Sequence, residues 1–69
     1  MQYPRISLKA ARVNARFTQK EAAKAIGINP ATLKNYELGR TVPDWNIVKK
    51  IEDTYQFPAD YIFFGRSSL

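Results

Sequence analysis

The sequence predicts an all-α domain of five short helices, and three observations carry that prediction. Apolar residues recur at spacings of three and four, and no stretch alternates with the period of two that a half-buried strand requires. Ser, Thr, Asn, Asp, Gly and Pro stand where those apolar patterns begin and end. At 69 residues the chain is expected to form one small domain, which hides only about 60% of its unfolded surface and so keeps a thin stability margin.

The first helix is placed at about Ser7 to Ala15, with Ser7 as its cap and Leu8, Ala11 and Ala15 on its inner stripe; Phe17 closes it off. The second begins at Thr18, where Thr-Gln-Lys-Glu has the form of a capping box. The Thr18 hydroxyl can accept from the Glu21 backbone N–H while the Glu21 carboxylate reaches back to Thr18. Gly27, suited to a left-handed turn, ends that helix. Asn29 caps the third, and Pro30 takes its first helical position, where a missing N–H costs nothing; Gly39 stops it after about eight residues. A loop through Pro43 leads to Asp44, the cap of a fourth helix running to about Tyr55, with Val48, Ile51 and Tyr55 as its buried stripe and Trp45 at its flank. After Gln56-Phe57-Pro58 a fifth helix is expected from Ala59 to Phe64, carrying Ile62 inward and finishing at Gly65. Residues 1–6 and 66–69 are expected to be flexible ends.

Composition narrows the function. The chain has no cysteine, which rules out a disulfide or zinc-thiolate site and fits a reducing compartment. It has no histidine, so the commonest general base and metal ligand are missing, and its six scattered carboxylates suggest no hydrolytic pair. An enzyme is therefore disfavoured, and no metal, cofactor or small-molecule ligand is expected. No apolar run exceeds four residues and the N-terminus, MQYPRISLK, lacks an apolar signal core, so a cytoplasmic protein with no membrane partner is expected.

The positive charge is uneven. Residues 1–40 carry eight Lys/Arg against Glu21 and Glu37, a balance of 8 − 2 = +6, whereas residues 41–69 carry three against four, or −1. Such an excess serves either as a solvated surface or as the site of a polyanion, whose condensed counterions are released on binding.

The third helix bears on the choice, although its outer face taken alone is also that of any short solvated helix. At about 100° per residue, with Leu33 set toward the core, Tyr36 and Glu37 fall near the core direction and Ala31 and Asn35 nearly opposite, flanked by Thr32 and Lys34. The outer face thus offers a methyl, a hydroxyl, an amide and an ammonium. An Asn amide pairs bidentately with adenine, Thr bonds to a base or phosphate and touches a thymine methyl, and Lys suits phosphate. Counting from Gln19, a small residue stands at the fifth place (Ala23), glycine at the ninth (Gly27), and apolar residues at the eighth, tenth, fifteenth and eighteenth (Ile26, Ile28, Leu33, Tyr36). This is the spacing of a helix-turn-helix at about residues 18–38: Ala23 lets two helices cross closely, Gly27 turns the chain, and Ile26, Ile28 and Leu33 fill the angle.

The opening Thr18-Gln19, Glu21-Ala22-Ala23 before the turn, Tyr36-Glu37-Leu38-Gly39 after the third helix, Pro43, and the closing Asp60-Tyr61-Ile62-Phe63-Phe64-Gly65 occur in order. With these, the chain from about Leu8 to Gly65 resembles the Cro and repressor family of phage-type helix-turn-helix regulators, often called XRE-like. The resemblance implies a compact five-helix, lambda-repressor-like DNA-binding domain. It implies that Thr18 and Gln19 anchor a phosphate at the start of the second helix, that Pro30, Ala31, Thr32 and Asn35 face bases, and that Lys34, Arg40 and Thr41 grip the backbone. It also implies a structural ion pair between Arg12 and Glu37. Two positions depart from the family. Ala22 stands where relatives usually have leucine, and Pro30 and Ala31 replace side chains that hydrogen-bond bases, leaving apolar contact or shape readout at that end.

The function expected is that of a sequence-specific double-stranded DNA-binding regulator of transcription, a Cro-like phage or prophage repressor. It would act on a palindromic operator and be a homodimer at least on DNA. Tyr61, Phe63 and Phe64 either fill the core or make the dimer contact. The alternative is a protein-interaction module, such as an antitoxin with secondary DNA binding.

Overall fold

A computed structural model of the chain describes residues 4–65. Four α-helices, α1 (Leu8–Asn14), α2 (Gln19–Ile26), α3 (Pro30–Glu37) and α4 (Trp45–Tyr55), are bracketed by two short strands, β1 (Ile6–Ser7) and β2 (Ile62–Phe63), with a 3₁₀ turn at Ala59–Tyr61 before β2. Each α-helix starts at a side chain that accepts from a first-turn N–H. Ser7 accepts from Ala10, Thr18 from Glu21, Asn29 from Ala31 and Asp44 from Ile47, at 2.8 to 3.1 Å. At α2 the box is complete, with the Thr18 N–H donating to Glu21 Oε1 at 2.9 Å.

The core lies where the helices meet. Ile26 of α2, Leu33 of α3 and Ile51 of α4 are its largest wholly buried side chains, joined by Leu8 and Ala11 of α1, Ala22 and Ala23 of α2, Tyr55 of α4 and Ile62 of β2. Ala22 and Ala23 are both 0% exposed, so α2 presents two methyl groups where longer side chains would hold its neighbours away. Phe17 packs against this core and meets Tyr55, ring centroids 5.9 Å apart.

Two expectations are corrected. The fifth helix over Ala59–Phe64 is a single 3₁₀ turn, after which Ile62 and Phe63 run extended and pair in parallel with β1, Ile6 to Ile62 and Ser7 to Phe63. Over the described residues the fold is therefore four α-helices and a strand pair, not five helices and no strand. A β-branched residue followed by aromatics fits a pleated edge better than a helix, and two-residue strands are too short to show period-two alternation. Trp45 opens α4 instead of flanking it and is 71% exposed, while Val48 is half-buried and Ile47 packs against the core. Of the ends expected to be flexible, Ile6 is paired in β1, and residues 1–3 and 66–69 lie outside the described residues.

Candidate nucleic-acid interface

α2 and α3 are joined through Gly27, Ile28 and Asn29. Gly27 takes φ 90°, in the left-handed region, and its N–H and that of Ile28 both donate to the Ala23 carbonyl, which finishes α2 and swings the chain into α3. Leu33 points down into the angle with no exposure. Pro30, Ala31 and Lys34 of α3 are exposed, and Thr32 and Asn35 are half-buried. Past Gly39 the chain folds back so that the Arg40 N–H donates to the Asn35 carbonyl at 3.0 Å; the Arg40 and Thr41 side chains are exposed.

Beneath this face lies a polar hub. Arg12 Nε donates to Glu37 Oε2 at 2.7 Å, Arg12 Nη1 to the Phe17 carbonyl at 2.8 Å, and Gln19 Nε2 to Glu37 Oε1 at 3.0 Å. The Arg12 and Glu37 side chains are 9% and 4% exposed, so one buried ion pair ties α1 to the end of α3 and to the start of α2. Gln19 therefore spends one amide proton inside the protein. Tyr55 lies near the same pair: burial, and then the Glu37 charge, push its phenol up to about 12, with Arg12 opposing. Its hydroxyl is buried and finds no hydrogen-bond partner among the described residues. At the surface of α2, hydrogen bonds from Thr18, the backbone one foremost, hold the Glu21 carboxyl below its ordinary value.

An open cleft of about 490 Å³ sits over the hub, walled by Lys9 of α1, Thr18 and Gln19 at the start of α2, and Lys34 of α3. Lys9 did not stand out in the sequence; the signal there is its three-residue spacing from Arg12, which sets it one turn away on the same side of α1. The structure thus gathers Thr18, Gln19 and Lys34 at one cleft, leaves Pro30 and Ala31 out on the face of α3, and sets Arg40 and Thr41 beyond its far end. Tyr61, Phe63 and Phe64 are half-buried, in the 3₁₀ turn, in β2 and just after it. Among the described residues no group of His, Cys, Asp and Glu could hold a metal ion, and no helix is long and apolar enough to cross a membrane.

Two helices crossing at a glycine turn, the second held by a buried leucine and showing a polar face, define a helix-turn-helix protein, and residues 8–62 match the family model described as helix-turn-helix. The chain belongs to that family. It is similar to the HTH-type transcriptional regulator ImmR of Bacillus subtilis (strain 168), at 40% identity over 55 residues that make up 80% of this chain and 43% of that protein. The chain thus spans less than half the length of that relative. No solved structure matches it.

Proposed function

We propose that the chain is a sequence-specific double-stranded DNA-binding domain that regulates transcription, in the manner of a Cro-like repressor, by laying α3 in the major groove. The observation that carries this reading is the outer side of α3. Pro30, Ala31, Thr32 and Asn35 stand on a helix whose inner side is fixed by Leu33 and by the buried Glu37. That side offers an apolar leading end and one amide able to bond an adenine edge bidentately. Thr18, Gln19, Lys34, Arg40 and Thr41 flank it, where phosphates on either side of a groove would pass. The charge of residues 1–40, the half that contains α1, α2 and α3, supports the same partner.

Two copies reading successive major grooves, about 34 Å apart, would select a palindromic operator. Tyr61, Phe63 and Phe64 are the dimer contacts we propose, and their half-burial leaves part of each ring able to meet a second copy. Selection of bound duplexes from a random pool tests the whole reading, with a two-fold-symmetric consensus as the expected result. A measured log–log salt slope near −5, for about six phosphates, supports it further. Failure to enrich any sequence, with a flat salt response and tight binding to a protein partner, would turn the reading to an antitoxin-like interaction module.

A further inference from the structure

Two large apolar side chains stand in water where the chain passes from α3 to α4. Trp45, the single tryptophan, is 71% exposed, and Val42, three residues before it, is 65% exposed. They are the two most exposed large apolar side chains among the described residues. Between them lie Pro43, which is buried, and Asp44, which caps α4. Lys49 Nζ stands over the Trp45 ring, 6.0 Å from its centroid, and is itself held by Glu52 at 3.5 Å. One face of the indole is thus met by the chain's own cation, and the rest is left to solvent.

The surrounding charge does not suit DNA. Asp44 puts a carboxylate at the start of α4, and the stretch from Asp44 to Asp53 carries Lys49 and Lys50 against Asp44, Glu52 and Asp53, a balance of 2 − 3 = −1. Asp44, Lys50 and Asp53 are exposed and make no ion pair among the described residues. A surface that meets a copy of itself across a two-fold axis needs both signs, so that each charge finds its opposite on the other side; this one has them. A stable pair needs about 600 Å² from each copy, more than Val42 and Trp45 supply, so the contact has to continue onto neighbouring apolar surface. Val42 provides the continuation. A Cβ built on Gly65 would lie 3.8 Å from Val42 Cγ2, so Val42 rests against the backbone next to the half-buried Phe64, just past β2.

We infer that a second copy of the chain docks on this patch, Trp45 of each copy set against Val42 and Phe64 of the other, with Trp45 as the anchor of the pair. This rests on the two-copy reading above and extends the contact assigned there to Phe64. The indole brings a large rigid apolar area, Val42 and Phe64 receive it, and the free charges of α4 form the polar rim.

The test follows sedimentation and tryptophan emission of the unaltered chain as its concentration rises, beside Trp45→Ser, Val42→Ser and Val13→Ser, each checked by its melting temperature. Val13 is the control, an exposed apolar residue on α1. In the unaltered chain the emission should move to shorter wavelength as the pair forms, since Trp45 alone reports. Trp45→Ser should weaken the pair about 30-fold or more and Val42→Ser about tenfold, while Val13→Ser leaves it unchanged. On a palindromic duplex Trp45→Ser should keep its affinity for a single half-site and lose joint occupancy of the two. An unaltered chain monomeric to about 1 mM, association without an emission shift, or a Trp45→Ser pair as tight as that of Val13→Ser overturns the contact and leaves DNA binding standing. A chain that pairs through Trp45 and binds no duplex overturns the DNA-binding reading and leaves the contact standing.

Discussion

A guanidinium and a carboxylate as buried as those of Arg12 and Glu37 each cost several kcal/mol to dehydrate, and their mutual attraction offsets that cost only while both are present. Replacing Arg12 by Met should therefore cost about 3–5 kcal/mol, which is comparable with the whole stability of so short a chain. The double variant Arg12→Met/Glu37→Met should recover most of that loss in a urea titration. A double variant no more stable than the single would mean that lost packing around the Arg12 stem, not the orphaned charge, sets the cost. Tyr55 behaves oppositely. Its buried hydroxyl has no partner among the described residues, so Tyr55→Phe should be neutral or stabilise by up to about 1 kcal/mol at pH 7. The folded chain keeps the Tyr55 proton up to about 12 while the unfolded chain releases it near the ordinary phenol value of 10.0. The stability this contributes is thus complete below pH 10 and lost as pH rises toward 12; Tyr55→Phe should flatten that stretch of the stability profile relative to the unaltered chain. At the outer face, Asn35→Ala should cost about 1–3 kcal/mol at one base pair and relax preference there, while Lys34→Ala weakens all duplexes alike. Equal losses for Asn35→Ala on cognate and random DNA would remove its base-reading role.

At the scale of elements, the turn between α2 and α3 depends on one backbone angle. A Cβ built on Gly27 would meet nothing within 4 Å, so Gly27→Ala adds no clash and isolates the strain of φ 90°. We expect a loss of about 1–2 kcal/mol from that strain alone, read as a lower thermal midpoint, with Gly27→Asn losing less. The starts of α1 to α4 were legible in the sequence because capping is chemistry between residues two or three apart, and the motif's spacing located the turn for a similar reason. What depends on distance through space was not legible. Nothing local says that the Gln19 amide gives a proton to Glu37, since that needs the actual separation of α2 and α3. The half-burial of Thr32 and Asn35 escapes a helical wheel, which has no neighbours; at Asn35 the returning chain brings Arg40 onto its carbonyl. The swap of a last helix for β2 escaped it too, because the strand that stabilises Ile62–Phe63 lies at the other end of the chain.

For the whole molecule, that pairing joins the first described element to the last. Ser7 serves twice, as a β1 residue opposite Phe63 and as the cap of α1, while Ile62 opposite Ile6 is 3% exposed in the core. Ile62→Ala should accordingly cost about 2–5 kcal/mol, and amide exchange should quicken at Ala10 and Ala11 in α1 as well as in β2. A variant that loosened β2 alone would show that the two ends are not mechanically linked. The same contact gives the chain the topology of a nicked ring. Residues 6 and 62 are already neighbours, so a short flexible bridge from residue 65 to residue 4 would close the circle, and the break could be moved to the exposed stretch at residues 40–42 with every helix still meeting its old companions. In such a permuted chain the order of synthesis would change while the hub, the cleft and the outer face of α3 were kept, separating what the sequence order contributes to folding from what it contributes to recognition.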